Sequence, residues 1–330
     1  MRALLVTILV AAALWAGYWF VGSRALESGV ADWFAAQEAQ GRAASNAGVA
    51  VQGFPNRFDL TVTEPKVADP ARGLSWEAPF AQVFAMTWKP WHVIAALPDS
   101  QTVGLPDQTV DVSSSRLRGS LVVDPDTDLT LDRITLEGDN LRLASDRGWS
   151  TALARLLLAT RRDAADASTH EVYLEASSIT PDQNFRMGLK SISDLPELID
   201  RLRIDAKAGL SAPIDRFAGQ TRPALQRLEL REAALDWGKF SLTAKGAVQP
   251  DAQGIADGRI DIRVAPWRDL VPVLVAAGLV TAEVAPTVTR AMELLAQQGA
   301  NPEVLEVPLV FAQGRMTLGP IPLGPAPRME

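Results

Sequence analysis

The chain has 330 residues, Lys+Arg 32 against Asp+Glu 39, a formal net charge of -7 and 47% hydrophobic residues, enough apolar side chain to offset the entropy of ordering a globular fold. The acidic balance excludes general nucleic-acid binding, which rests on a basic surface that neutralises phosphates. With no cysteine and only two histidines, His92 and His170, disulfides, thiolate metal sites and cysteine nucleophiles are excluded, and most metal or triad chemistry has too few ligands to build from.

Residues 3–22, ALLVTILVAAALWAGYWFVG, carry no charge. As a helix rising 1.5 Å per residue they span about 30 Å, the hydrocarbon thickness of a bilayer. Trp15, Tyr18, Trp19 and Phe20 crowd the C-terminal end, where amphipathic rings favour the membrane–water interface. A cleaved secretory signal is the alternative, but its apolar region is about 7–15 residues long and ends in small side chains. The longer run and its bulky rings favour an uncleaved transmembrane anchor over residues 1–22. Arg2 and the free amine precede the span, which puts the N-terminus in the cytoplasm and the rest outside. Residues 24–47 repeat Leu26, Val30, Trp33 or Phe34, Gln37 and Gln40 at helical spacing. They predict a helical stalk, bounded as 23–48 and stopped at Gly48, too short for the several heptads of a coiled coil.

From residue 49 the period changes to 2. Phe58, Leu60 and Val62 alternate with polar residues, as do Val172, Leu174 and Ala176, then Phe240, Leu242 and Ala244, then Ile260, Ile262 and Val264. One apolar and one polar face marks antiparallel strands. The apolar phase slips within 129–136 and again between Leu230 and Leu235, predicting bulges near Asp132–Arg133 and Glu232–Ala233. Helices are expected over Ser150 to Arg162, behind a serine cap and four leucines, and over Pro266 to Gly278 and Thr281 to Gln298. Segregated strands and helices give an α+β, mainly β class. The expected architecture is an elongated, curved antiparallel sheet with a few packing helices after the N-terminal transmembrane helix. Residues 49–330 form its body, two lobes with a bend near 190–199.

Asp124, Asp126, Asp128 and Asp132 resemble a calcium loop in spacing, but the places for its glycine and bidentate glutamate hold Leu129 and Thr135. A polar turn is expected instead. His92 follows Trp88-Lys89-Pro90-Trp91, beside a segment, Ala81 to Trp88, that is nearly apolar on both faces. No nucleophile or acid is placed beside it by the sequence, so His92 reads as structural, as does His170. Nucleotide, zinc-protease and hydrolase motifs do not occur. No catalytic residue, cofactor or metal is assigned, and the protein is expected not to be an enzyme. Trp76, Trp88, Trp91 and His92 are candidate lining for a hydrophobic ligand groove, with core filling as the alternative.

Three segments carry a resemblance. They are Gly53-Phe54-Pro55-Asn56-Arg57-Phe58-Asp59-Leu60; Trp76 to Phe84 with His92-Val93-Ile94-Ala95; and Gly314 to Gly324. The chain resembles an alphaproteobacterial envelope family, a domain of unknown function with one N-terminal membrane helix. Its glycine-rich tail is similar to those of inner-membrane-anchored β-groove proteins of envelope lipid traffic. The resemblance implies a single-pass protein of the cell inner membrane with its body in the periplasm, and lipid or envelope proteins as partners. It brings no catalytic residues. Its function is expected to be holding or passing a lipid in the curved sheet; the alternative is a structural module that docks an envelope complex. Gly53 and Pro55 are expected to form a hairpin corner with Phe54 inward, and Arg57 and Asp59 on the opposite face from Phe58 and Leu60.

Overall fold

A computed structural model describes residues 1–190 and 194–329. It opens with one helix, α1 (Arg2–Ala39), whose N-terminal half leaves Leu4, Leu5, Ile8, Leu9 and Leu14 uncovered and is long and apolar enough to cross a membrane. The helix ends earlier than the predicted stalk. Gly41 takes φ +76, its N–H reaches Glu38 O at 2.9 Å and the Arg42 N–H reaches Gln37 O at 3.0 Å. These two bonds close a left-handed C-terminal cap, so the stop is Gly41 rather than Gly48. Part of the expected stalk is instead a strand, β1 (Ala43–Ser45). The buried stripe of the helix is Trp19, Ser23, Phe34 and Gln37, with Leu26 and Trp33 left exposed.

Two compact units follow from the contacts, the first 1–125 with 136–148 and the second 126–135 with 149–330. The expected bend near 190–199 includes residues 191–193, which lie outside the described residues. All strand pairings given below are antiparallel.

Unit 1 holds β1, β2 (Gly48–Gln52), β3 (Arg57–Thr63), β4 (Lys66–Asp69), β5 (Leu74–Glu77), β6 (Phe80–Met86), β7 (Lys89–Leu97), β8 (Ser100–Leu105), β9 (Gln108–Ser113), β10 (Arg116–Val123) and the second half of β11 (Leu131–Ser145). One run of paired strands is β2–β3–β6–β7–β10. Another is β1–β4–β5–β8–β9–β11. Alternation along β3 buries Phe58, Leu60 and Val62 and leaves Arg57 and Asp59 on the other face, as expected. Leu60 and Val62 cluster with Phe34 and Ala44, and Val30, Val49, Val51, Val67 and Val83 pack around them. The sheet face that carries Leu60 is therefore closed by α1. Phe54 corrects its expectation: it is 53% exposed and turns its ring to Trp19 and Phe20 of α1, not into the sheet. The inner position at that corner belongs to Phe58, whose ring lies against Trp19 and Tyr18.

Unit 2 is a sequential meander of β12 (Ser150–Arg162), β13 (Thr169–Thr180), β14 (Ile199–Leu210), β15 (Leu225–Trp237), β16 (Phe240–Pro250), β17 (Ala256–Ala265), β18 (Leu305–Ala312), β19 (Arg315–Leu318) and β20 (Ile321–Pro325). Its helices are α2 (Gln183–Lys190), α3 (Ala218–Thr221), α4 (Leu270–Ala276) and α5 (Ala285–Ala296). The predicted helix over 150–162 is overturned, because those residues are β12. Its leucines fit either period, but Leu156 and Leu158 also alternate with Leu157 and Ala159, and ten of its residues pair with β13. The ladder thus gives its backbone donors partners that a lone amphipathic helix would not need. The helical pair α4 and α5 falls where predicted. It covers one sheet face with a core of Trp237, Phe240, Val264, Trp267, Met292 and Leu305. Both buried indoles are satisfied, Trp237 Nε1 by Pro196 O at 2.7 Å and Trp267 Nε1 by Pro302 O at 2.9 Å. The second predicted bulge is present, with Arg231 as the extra residue between Glu232↔Asp205 and Leu230↔Ala206.

Candidate functional site

The helix α1 packs on one face of β3, where Leu60 and Val62 join Phe34 and where Val83 of β6 packs against the same cluster. Among the described residues no helix covers the apolar residues on the opposite face of β6. The register sets that open face residue by residue. Asp59, Phe84, Ile94 and Ser120 form one row across β3, β6, β7 and β10, and Thr61, Gln82, Ala96 and Arg118 form the next. Met86 and Ile94 are 43% and 41% exposed. Together with Phe84, Ala85 and Ala96 they floor a cavity of about 510 Å³ rimmed by Arg57, Lys89, His92 and Arg118. That volume lies within the roughly 300–1,000 Å³ of small-molecule sites.

The rim is cationic. Arg57 is bonded to Asp59 at 2.6 Å, whereas Lys89 and Arg118 meet no carboxylate among the described residues. The charged face of unit 2 differs. Its two clefts, of about 550 and 500 Å³, are lined by arginines that already hold acids. Arg161 and Arg231 share Glu171, Arg259 holds Asp261, Arg263 holds Glu306 and Arg133 holds Asp132. These bonds from Arg231 and Arg161 hold the Glu171 carboxyl below its usual range. Of the cations lining those two clefts only Lys245 meets no carboxylate among the described residues, whereas the open face of unit 1 keeps two free cations beside apolar side chains.

Of the four candidate groove residues, the structure brings only His92 into this cavity. Its Nε2 lies 3.1 Å from Ser120 Oγ, the reach of a nucleophile–base pair, but no carboxylate bonds the other ring nitrogen among the described residues. Trp88 stands at the β6–β7 turn, 56% exposed. Trp91 is half-buried and, by strand alternation, on the opposite side of β7. Trp76 donates its indole N–H to Gln101 Oε1 at 2.7 Å and lines a separate cleft of about 410 Å³ with Ala44 and Val67. Among the described residues no three His, Asp or Glu side chains gather to hold a metal. The Asp126 carboxylate caps its own turn, accepting the N–H groups of Asp128 and Leu129. His170 is buried on β13.

A family model described as "Uncharacterized protein conserved in bacteria (DUF2125)" matches residues 19–327. The chain belongs to this bacterial family. The match takes in the aromatic end of the apolar stretch and nearly all of both units, so the open face lies within the family's extent. No curated protein and no solved structure matches the chain.

Proposed function

We propose that α1 anchors the chain in the bacterial inner membrane with both units on the periplasmic side, and that unit 1 is a non-enzymatic module that binds an anionic amphiphile, a membrane lipid, on its open face. Phe84 and Ile94 take the acyl part, while Arg118 and Lys89 take the negatively charged head. The observation that carries this reading is the juxtaposition of unpaired cations and uncovered apolar side chains on one sheet face. A lipid satisfies both at once. The Ser120–His92 pair belongs to the rim, as a polar contact between β7 and β10.

Native mass spectrometry of the full chain extracted from membranes tests it. The wild type is expected to carry phospholipid, and Ile94→Gln, at an exposed position of the same row, and Arg118→Glu are expected to lose it while keeping the wild-type melting curve. A wild type that carries no lipid, or that carries a protein across this face, overturns the reading. The location is tested separately: a C-terminal alkaline phosphatase fusion should be active and a green fluorescent fusion dark.

A further inference from the structure

The open face leaves a second apolar feature of unit 1 unexplained, the tips of two hairpins held against the end of the apolar helix. The β2–β3 corner carries Phe54 and Asn56, and the β6–β7 turn carries Thr87 and Trp88. Buried Thr87 ties the tips together, donating its N–H and its hydroxyl to Asn56 O at 3.1 and 3.2 Å. Both tips are fixed to α1. Tyr18 donates its hydroxyl to Thr87 O at 2.9 Å, and Trp19 donates its indole N–H to Arg57 O at 2.7 Å. The Phe54 ring lies 5.6 Å from that of Phe20. Yet Phe54 and Trp88 are 53% and 56% exposed, and Phe20 and Tyr18 beside them are 53% and 45% exposed.

We propose that the two tips, Phe54 and Trp88 foremost, seat in the lipid interface beside the anchor, so that unit 1 meets the bilayer at three points rather than hanging from one helix. This rests on the anchoring part of the function proposed above and not on the amphiphile. The geometry commits the occupant. Tyr18 and Phe20 lie inside the uncharged run of 3–22, and Gly22, its last residue, is only two positions further, about 3 Å along the helix. A bilayer that takes Phe20 therefore takes the Phe54 ring in contact with it. Exposed tryptophan and phenylalanine at this level suit the headgroup boundary.

The chain has no cysteine, so single Phe54→Cys, Trp88→Cys and Asp99→Cys variants of the full chain accept one environment-sensitive fluorophore each. Asp99 is the control: it is exposed and lies beyond the far end of β7, a nine-residue strand that carries it about 30 Å from the tip. In vesicles of phosphatidylglycerol and phosphatidylethanolamine, labels at 54 and 88 are expected to shift to the blue. They are also expected to lose emission when the lipid bears a nitroxide at carbon 5, whereas the label at 99 does neither. Trp88 makes no ring contact among the described residues, so its variant keeps the test valid if Phe54→Cys disturbs the corner. Labels at 54 and 88 that behave like the one at 99, in protein that floats with the vesicles, overturn the proposal and leave the anchor standing. Protein that does not float refutes the anchor, and this proposal with it.

Discussion

Alanine at two glycines of the same helix should change stability in opposite directions. At Gly29 an added Cβ meets nothing within 4 Å, and the gain is the helix-propensity difference, about 1 kcal/mol. At Gly22 the Cβ would lie 2.6 Å from Phe58 Cζ and 3.0 Å from its Cε1. That ring is 5% exposed and is held between Trp19 and Tyr18, so it has no free direction in which to yield. Overpacking of this kind costs about 1–3 kcal/mol; set against the same propensity gain, Gly22→Ala is destabilising by about 0–2 kcal/mol. Thermal unfolding of the full chain in detergent, followed by aromatic circular dichroism, should show the midpoint rising for Gly29→Ala and falling for Gly22→Ala. Shortening the obstructing ring with Phe58→Leu should remove the penalty, a coupling of about 0.5–3 kcal/mol between contacting residues. Equal gains at both glycines would show that α1 does not lie on Phe58.

Burial, aided by the Arg162 cation and opposed by Asp132, pushes His170 below its ordinary value. An unfolded histidine protonates near pH 6.5, before the folded one. Stability should therefore fall as pH drops below about 6.5, by up to about 1.4 kcal/mol per unit, until the folded group also protonates. Urea melts between pH 5 and 7.5 should show this slope in the wild type and a flatter one in His170→Gln; equal slopes would refute it. Asp163 is held low by Lys207, and Glu171 by Arg231 and Arg161, so their contribution is present above about pH 4 and is lost only below it. The two windows are distinguishable. Replacing His92 or Ser120 with alanine should cost about 1 kcal/mol or less, because the pair is half-buried and its partner regains water. Loss of function in complementation should track that small change, and a His92→Ala protein with an unchanged melting curve and no function would indicate chemistry at the pair.

The fold was legible where one physical signal dominated. Strict alternation over Phe58, Leu60 and Val62 placed β3 and its buried face, and the phase slip after Leu230 placed a bulge one residue from Arg231. Where two periods fitted the same side chains, the sequence alone could not decide. Leu153, Leu156, Leu157 and Leu158 serve a helix or a strand equally, and pairing with β13, a partner beginning only at Thr169, settled it. Gly48 and Gly41 are both acceptable stops for α1; Gly41 wins because β1 must begin at Ala43 to pair with β4.

The site was less legible for a reason that pattern cannot remedy. Alternation says which face of a strand a residue occupies but not who stands beside it. The sequence showed that Ala81 to Trp88 is apolar on both faces, and a segment of that kind needs a cover on each. It did not show that Val83 joins the cluster around Phe34 and Leu60 while the face that carries Phe84 stays open. Nor did spacing relate Arg118 and Ser120 to Ile94, more than twenty residues away: the β7–β10 register alone sets Ser120 opposite Ile94 and Arg118 opposite Ala96. Tryptophans drew attention as large apolar payload, but strand direction disperses them, Trp91 to the far side of β7 and Trp88 to the turn. What gathers instead is a phenylalanine, an isoleucine, a lysine and an arginine, residues ordinary in sequence. They stand out as the candidate surface only once two free cations and an uncovered apolar row are seen to share one face.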